Sequence, residues 1–300
     1  MVFSKFLDPK NDFCFKKIFG SEKNKDILIH FLNDMIVFPG KGQIQDVTFL
    51  KTAQDPETAA QKTSLVDILC KDEKGCNYIV EMQVAKDKGF AKRAQYYASK
   101  VYSSQVKIGQ EFFELKEVIF LAILDFVMFP ENEAYKSDHI ILDKDSHEHD
   151  LKNFSFSFLE LPKFTKDIAQ LSNVTEKWAY FFKRAHETSE GDLKKLTGND
   201  LIIERAYEEL NRFNWNEVEL ATYDQADLQE RVYRGTLAQK FDEGFEIGKA
   251  EGRMLAGIEQ EKENTIREML KLGLEESVIC AVTKLPLEKL RLLRARITAL

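Results

Sequence analysis

One stretch of this sequence, from Ser64 to Val84, constrains the fold more than any other. Two segments rich in β-branched and aromatic residues, 64–70 and 76–84, are separated by residues that favour a turn. This pattern predicts a β-hairpin. One face of the hairpin is apolar throughout, so it must be buried, and the chain must contain a sheet with a covered face.

The turn sets the register of the hairpin. A three-residue loop that ends with Gly75 in the left-handed conformation places Asp72 opposite Cys76. Counted outward from there, Asp67 lies directly opposite Glu81, and such cross-strand partners have Cβ atoms roughly 4.5–5.5 Å apart on one side of the sheet. The other side is predicted to carry the apolar residues Val66, Ile68, Val80 and Met82.

The two facing acids have two interpretations. Neighbouring carboxylates repel each other, so a buried pair needs either a proton on one acid or a cation between them. Mg²⁺ suits two carboxylate oxygens and retained waters, and it can activate a phosphate ester for hydrolysis. Alternatively, the face is exposed and Asp67 and Glu81 are solvated acids, as is common on half-exposed sheets. Leu65 and Leu69, on the face of Asp67, favour a partly buried site.

The hairpin resembles the core of the PD-(D/E)XK nuclease superfamily, which has Asp on one strand and Glu-x-(Lys or Gln) on the next. Further blocks make the sequence similar to the recombination-promoting nuclease (Rpn) and putative transposase family. The resemblance covers the first half of the chain strongly and the rest by general layout. The blocks that carry it are Asp12–Gly20, Asp67, Glu81–Gln83, Arg93, Tyr96-Tyr97, Tyr102–Gln105, Leu115–Ile119 and Leu124–Phe126.

This resemblance implies a divalent-metal-dependent DNA endonuclease with Mg²⁺ or Mn²⁺ as cofactor. It implies Asp67, Glu81 and the backbone carbonyl of Met82 as metal ligands. Asp12 is a further candidate ligand through water, or else the N-cap of the first helix. Gln83, the third candidate catalytic residue beside the two acids, stands where the superfamily more often has Lys. A neutral amide can position water but cannot neutralise charge on a phosphate.

A helix predicted at about residues 90–107 follows the hairpin. Its periodicity places Arg93 and Tyr97 on one side. We expect Arg93, with Lys92 and Tyr97, to contact substrate phosphates. The alternative is an amphipathic helix whose tyrosines pack on the sheet while its cations stay solvated. Lys86, Lys92 and Arg93 are candidates for the charge that Gln83 lacks.

The remaining patterns predict an α/β fold: a restriction-endonuclease-like core with a mixed central sheet flanked by helices, and an α-helical C-terminal region. The apolar run Val118–Asp125 is typical of a strand buried on both faces. The predicted domains are a catalytic domain (1–162), a helical extension (163–216), a long glycine-punctuated charged helix (217–263) and a three-helix module similar to a helix-turn-helix (264–300).

The C-terminal region has two interpretations. Lys289, Arg291 and Arg294 on the last predicted helix could contact DNA phosphates. A small oligomerisation bundle explains the pattern equally well, and the glycine-punctuated helix fits a homodimer through the C-terminal helices.

Composition limits the function further. The net charge of −7 requires that any DNA contact comes from a local patch. No stretch is apolar enough to span a membrane and no signal-type run begins the chain, so we expect a cytoplasmic protein. Two functions remain: a DNA endonuclease, or a catalytically weak DNA-binding or oligomeric assembly protein that retains the nuclease fold.

Overall fold

In this computed structural model, residues 4–36, 42–54, 64–106, 111–198 and 200–298 of the 300-residue chain are described. They divide between Glu230 and Arg231 into two compact units. Each unit is treated by itself below.

The strands are β1 (Val47–Phe49), β2 (Ala53–Gln54), β3 (Ser64–Leu65), β4 (Ile68–Asp72), β5 (Asn77–Gln83), β6 (Val118–Leu124), β7 (Lys136–Ile140) and β8 (Phe154–Glu160). The α-helices are α1 (Asp12–Phe19), α2 (Lys25–Met35), α3 (Phe90–Ser103), α4 (Val174–Arg184), α5 (Glu190–Thr197), α6 (Leu201–Leu210), α7 (Glu217–Lys271), α8 (Glu276–Thr283) and α9 (Leu287–Thr298).

The first unit is built on a six-stranded mixed sheet with the order β1-β4-β5-β6-β8-β7. The pairs β5–β6 and β6–β8 are parallel, and the other neighbours are antiparallel. β2 and β3 form a separate two-stranded sheet. The mixed sheet flanked by helices confirms the predicted α/β fold class.

Strand β6 lies in the interior of the sheet, and all of its residues are buried. Its apolar run explains this position, because helices cover both faces of the sheet. Helices α1, α2, α4 and α6 pack on the face that carries Ile119, Leu121 and Ile123. Helix α3 packs on the opposite face, against Phe120 and Ala122.

Helices α4, α5 and α6 belong to the same core as the sheet. The rings of Trp178 and Phe182 pack against Phe19 and Phe31 at centroid distances of 5.2 to 5.9 Å. The amide of Leu7 also donates to a carbonyl at the end of α6. The first 162 residues and residues 163–216 therefore share one hydrophobic core.

The second unit contains the end of α7 together with α8 and α9, which meet at the buried residues Ile266, Ile279 and Leu290. The module predicted at 264–300 does not begin with a helix of its own, because α7 continues to Lys271. Its end coincides with Gly273, whose φ of +72° favours glycine. Among the described helices, none combines the length and the apolar character needed to cross a membrane.

Candidate active site

The predicted hairpin register is confirmed. β4 pairs with β5 so that Ile68 lies opposite Val80. The amide of Asp72 donates to the carbonyl of Cys76 over 3.0 Å, and Gly75 has a φ of +87°. Continued by one position, this register places Asp67 opposite Glu81.

The first arm of the hairpin is not the single strand that was predicted. β3 pairs with β2, β4 begins at Ile68, and the chain bends between them at Asp67. The Asp67 carboxylate accepts from the Met82 amide (2.9 Å), and the Asp67 amide donates to the Glu81 carboxylate (3.2 Å). Because side chains satisfy these amides, the backbone pairing can end at this point.

The bend also moves one predicted side chain to the other layer. Val66 packs with Leu69 and Ile79 in the cluster beneath α3, not with its predicted neighbours. The side chain of Leu65 lies outside the described residues. The remaining members of the predicted apolar face do pack together in the opposite layer: Ile68, Val80 and Met82.

Glu81 is buried and Asp67 is half-buried, so the interpretation as solvated surface acids is wrong. Glu81 is 5% exposed, and the side chain of Asp67 is 16% exposed. Burial, followed by the charge of Asp67, raises the pKa of Glu81 to about 8. Burial also raises the pKa of Asp67, against the hydrogen bond from the Met82 amide and the charge of Lys16. The nearby charges therefore do not fully compensate the two acids in this setting.

Helix α1 brings a cation to this pair. Lys16 Nζ lies 2.6 Å from Asp12 Oδ1 and 3.2 Å from Asp67 Oδ1. Burial alone would lower the pKa of Lys16, but these two carboxylates raise it overall. Asp12 is not the N-cap of α1, because Asn11 accepts from the amides of Phe13 and Cys14 and takes that role.

Gln83 and Arg93 form a second group beside the acids. Gln83 Oε1 accepts from Arg93 over 2.7 Å, and its Nε2 donates to the Ala85 carbonyl over 3.0 Å. Arg93 also pairs with Asp87 over 2.8 Å. Both polar atoms of Gln83 are thus occupied, and the charge of Arg93 is shared with a carboxylate.

The two other α3 candidates differ in their surroundings. Tyr97 is half-buried, and its pKa is raised by burial and by the charges of Glu81 and Asp67, against that of Arg93. Tyr97 therefore lies within electrostatic reach of the acid pair. Lys92 is exposed on the same helix.

The donors present fit a hard divalent cation. Such an ion needs only one or two carboxylates when it keeps several waters. Because the Met82 amide faces Asp67, the Met82 carbonyl lies at the same edge of β5. Asp12 is held beside the pair through Lys16. Within the described residues, no group of three or more His, Cys, Asp or Glu side chains could enclose a metal.

The C-terminal candidates lie in the second unit. Arg291 Nε and Arg294 Nη1 contact the carboxylate of Glu276 over 3.1 and 2.8 Å. These ion pairs join α9 to α8. Lys289 is exposed on α9.

Sequence reasoning missed two charged residues, Lys16 and Asp87. Lys16 carries a sequence signal, because Asp12 and Lys16 are four residues apart on one helix and such residues face each other. Asp87 has no such sequence signal, because its contact with Arg93 depends on the path of the loop between β5 and α3.

Comparison with known proteins identifies a family. The family described as PD-(D/E)XK nuclease family transposase matches the chain over residues 9–233, which includes all the candidate residues of the first unit. Neither a curated protein nor a solved structure matches the chain significantly.

Proposed function

Because the chain belongs to the PD-(D/E)XK nuclease family transposases, we propose that it is a divalent-metal-dependent DNA endonuclease that acts in the cytoplasm. The observation that carries this proposal is the buried pairing of Asp67 with Glu81. The pKa values of both acids are raised although Lys16 lies beside Asp67, and a divalent cation supplies the further positive charge that the pair needs.

In this proposal Asp67, Glu81 and the Met82 carbonyl hold Mg²⁺ or Mn²⁺, and Asp12 contributes through water. When bound, the ion polarises the phosphate and lowers the pKa of a bound water. Gln83 fixes the Arg93 guanidinium through their 2.7 Å hydrogen bond. Arg93, Tyr97 and Lys92 then line the α3 side of the site, where Arg93 orients the substrate phosphate.

The proposed reaction is hydrolysis of a phosphodiester. The oxygen of one water bonds to phosphorus and that water releases a proton. The bond from phosphorus to one ester oxygen breaks, and the leaving oxygen takes up a proton, so the numbers of protons balance. The buried acids need a cation for this chemistry, since two carboxylates alone would repel the phosphate.

For the C-terminal region we propose homodimer formation. Arg291 and Arg294 are paired with Glu276, which favours a structural role over phosphate contact. Lys289 keeps an exposed charge that DNA could meet.

The test is cleavage of supercoiled plasmid in Mg²⁺, Mn²⁺, Ca²⁺ or EDTA. We expect cleavage that requires Mg²⁺ or Mn²⁺ and falls at least about 100-fold in Asp67→Asn and in Glu81→Gln, because each variant removes a ligand charge. Glu73→Gln, an exposed acid at the tip of the same hairpin, is the matched control and should cleave normally.

Absence of cleavage by the folded wild-type protein in every metal would contradict the nuclease. If that protein still bound DNA, and deletion after Gly273 abolished the binding, the DNA-binding or assembly protein would be the better account.

A further inference from the structure

The acid pair contacts a cation, Lys16, that lies on α1 and not on β5. Lys16 Nζ on α1 lies 3.2 Å from Asp67 Oδ1. In the sequence, the position after Glu-x on β5 is Gln83, which carries no charge. The positive charge that touches the candidate metal ligands therefore comes from α1.

Gln83 is also held in a conformation that leaves it little freedom. Its carbonyl oxygen is bound by Arg93 and its amide nitrogen by the Ala85 carbonyl. Arg93 in turn pairs with Asp87 and lies over the Phe90 ring, 5.0 Å from its centroid. Neither residue presents an uncompensated charge to Asp67 or Glu81.

Lys16 lies between a half-buried acid, Asp67, and an exposed one, Asp12. The side chain of Asp67 is 16% exposed, that of Lys16 37% and that of Asp12 63%. Asp12 Oδ1 holds Lys16 Nζ at 2.6 Å from one helical turn away. A phosphate that approaches the acid pair from solvent on the α1 side would meet this ammonium.

We propose that Lys16 is a catalytic residue. From α1 its ammonium contacts the scissile phosphate and supplies the positive charge that the neutral Gln83 on β5 does not supply. This inference rests on the proposed nuclease function. In the metal-free protein the ammonium neutralises Asp67. When a divalent cation binds Asp67, Asp12 keeps Lys16 beside the site, where its charge is available to the phosphate.

The proposal predicts that Lys16 has opposite effects on metal binding and on cleavage. Lys16→Met removes a positive charge beside the metal ligands, so it should bind Mn²⁺ more tightly. The repulsion of two unit charges about 4 Å apart in bulk water is worth roughly fivefold in affinity, which is the lower bound for a divalent ion. The same variant should cleave plasmid at least about 100-fold more slowly, because the phosphate loses the cation that Lys16 supplies. If Lys16 had only a structural role, Lys16→Met would weaken both Mn²⁺ binding and cleavage.

The experiment measures Mn²⁺ affinity by isothermal titration calorimetry and cleavage of plasmid on the same full-length preparations. Lys16→Arg keeps the charge and should retain cleavage. Adding Gln83→Lys to Lys16→Met should restore part of the lost activity, which also excludes misfolding as its cause. Lys17→Met is the matched control, since Lys17 is on the same helix but contacts Glu219 and the Trp215 ring.

Unchanged cleavage and unchanged Mn²⁺ affinity in Lys16→Met would overturn the assignment of Lys16 and leave the nuclease standing. A wild-type protein that binds Mn²⁺ without cleaving DNA would overturn the nuclease and with it the catalytic role of Lys16. Weaker binding together with slower cleavage, and no rescue by Gln83→Lys, would reduce Lys16 to a structural residue.

Discussion

The carboxylates of Asp67 and Glu81 each bond to the backbone amide of a residue on the opposite arm of the hairpin. This arrangement fixes both side chains without neutralising their charge, because an amide donor is only a partial charge. Lys16 compensates the charge of Asp67 directly through their ion pair. The pKa of Glu81 is raised to about 8. In the metal-free protein, Glu81 therefore tends to carry a proton at neutral pH.

This proton makes the stability of the metal-free protein depend on pH. Folding raises the pKa of Glu81 from 4.5 to about 8, so the folded state binds more protons than the unfolded state in that window. The contribution of Glu81 is full below about pH 4.5 and is lost as the pH rises toward 8. The free energy of unfolding should fall by up to about 1.4 kcal/mol per pH unit.

Urea unfolding in EDTA at several pH values between 5 and 8 measures this dependence. Glu81→Gln keeps a neutral side chain of the same shape and should flatten the curve in this window. An equally steep fall of stability in wild type and variant would show that another group causes it.

At the scale of elements, the hairpin turn holds the two arms in the register that brings the acids together. Gly75 has a φ of +87°, which L-residues with a Cβ rarely adopt. Gly75→Ala should therefore lower the free energy of unfolding by about 1–2 kcal/mol. An added Cβ would lie 3.3 Å from Cγ of the flexible Lys116 side chain, so backbone strain dominates the cost.

The matched control is Gly191→Ala in α5, where an added Cβ lies 3.9 Å from Ser189 Oγ, an ordinary contact. This change should stabilise the protein by up to about 1 kcal/mol, since Ala is the better helix former. Urea unfolding of both variants measures the difference. Equal effects of the two substitutions would contradict the requirement for a left-handed residue at the turn.

The same hairpin shows how far sequence reasoning reaches. The register was predictable because turn residues and side-chain alternation act over a few positions. The bend at Asp67 was not predictable, because it depends on side-chain hydrogen bonds that replace backbone pairing. Lys16 was missed because its approach to Asp67 requires α1 to pack beside the hairpin, a contact between segments about fifty residues apart.

At the scale of the whole molecule, the candidate residues of the acid site all lie in the first unit, within the family match over residues 9–233. The fold class was predictable from the hairpin pattern at 64–84 and the apolar run of β6. It was not predictable that residues 1–162 and 163–216 share one core. Helical periodicity shows which face of a helix is apolar but not which element covers that face.

We propose that Asp67 and Glu81 together bind a divalent cation. The most direct measurement is an X-ray anomalous difference map from crystals soaked in MnCl₂. We predict one strong peak within coordination distance of both carboxylates in the wild-type protein, and no such peak in Asp67→Asn. The absence of a peak between these two side chains, in crystals soaked at saturating Mn²⁺, would contradict metal binding by Asp67 and Glu81.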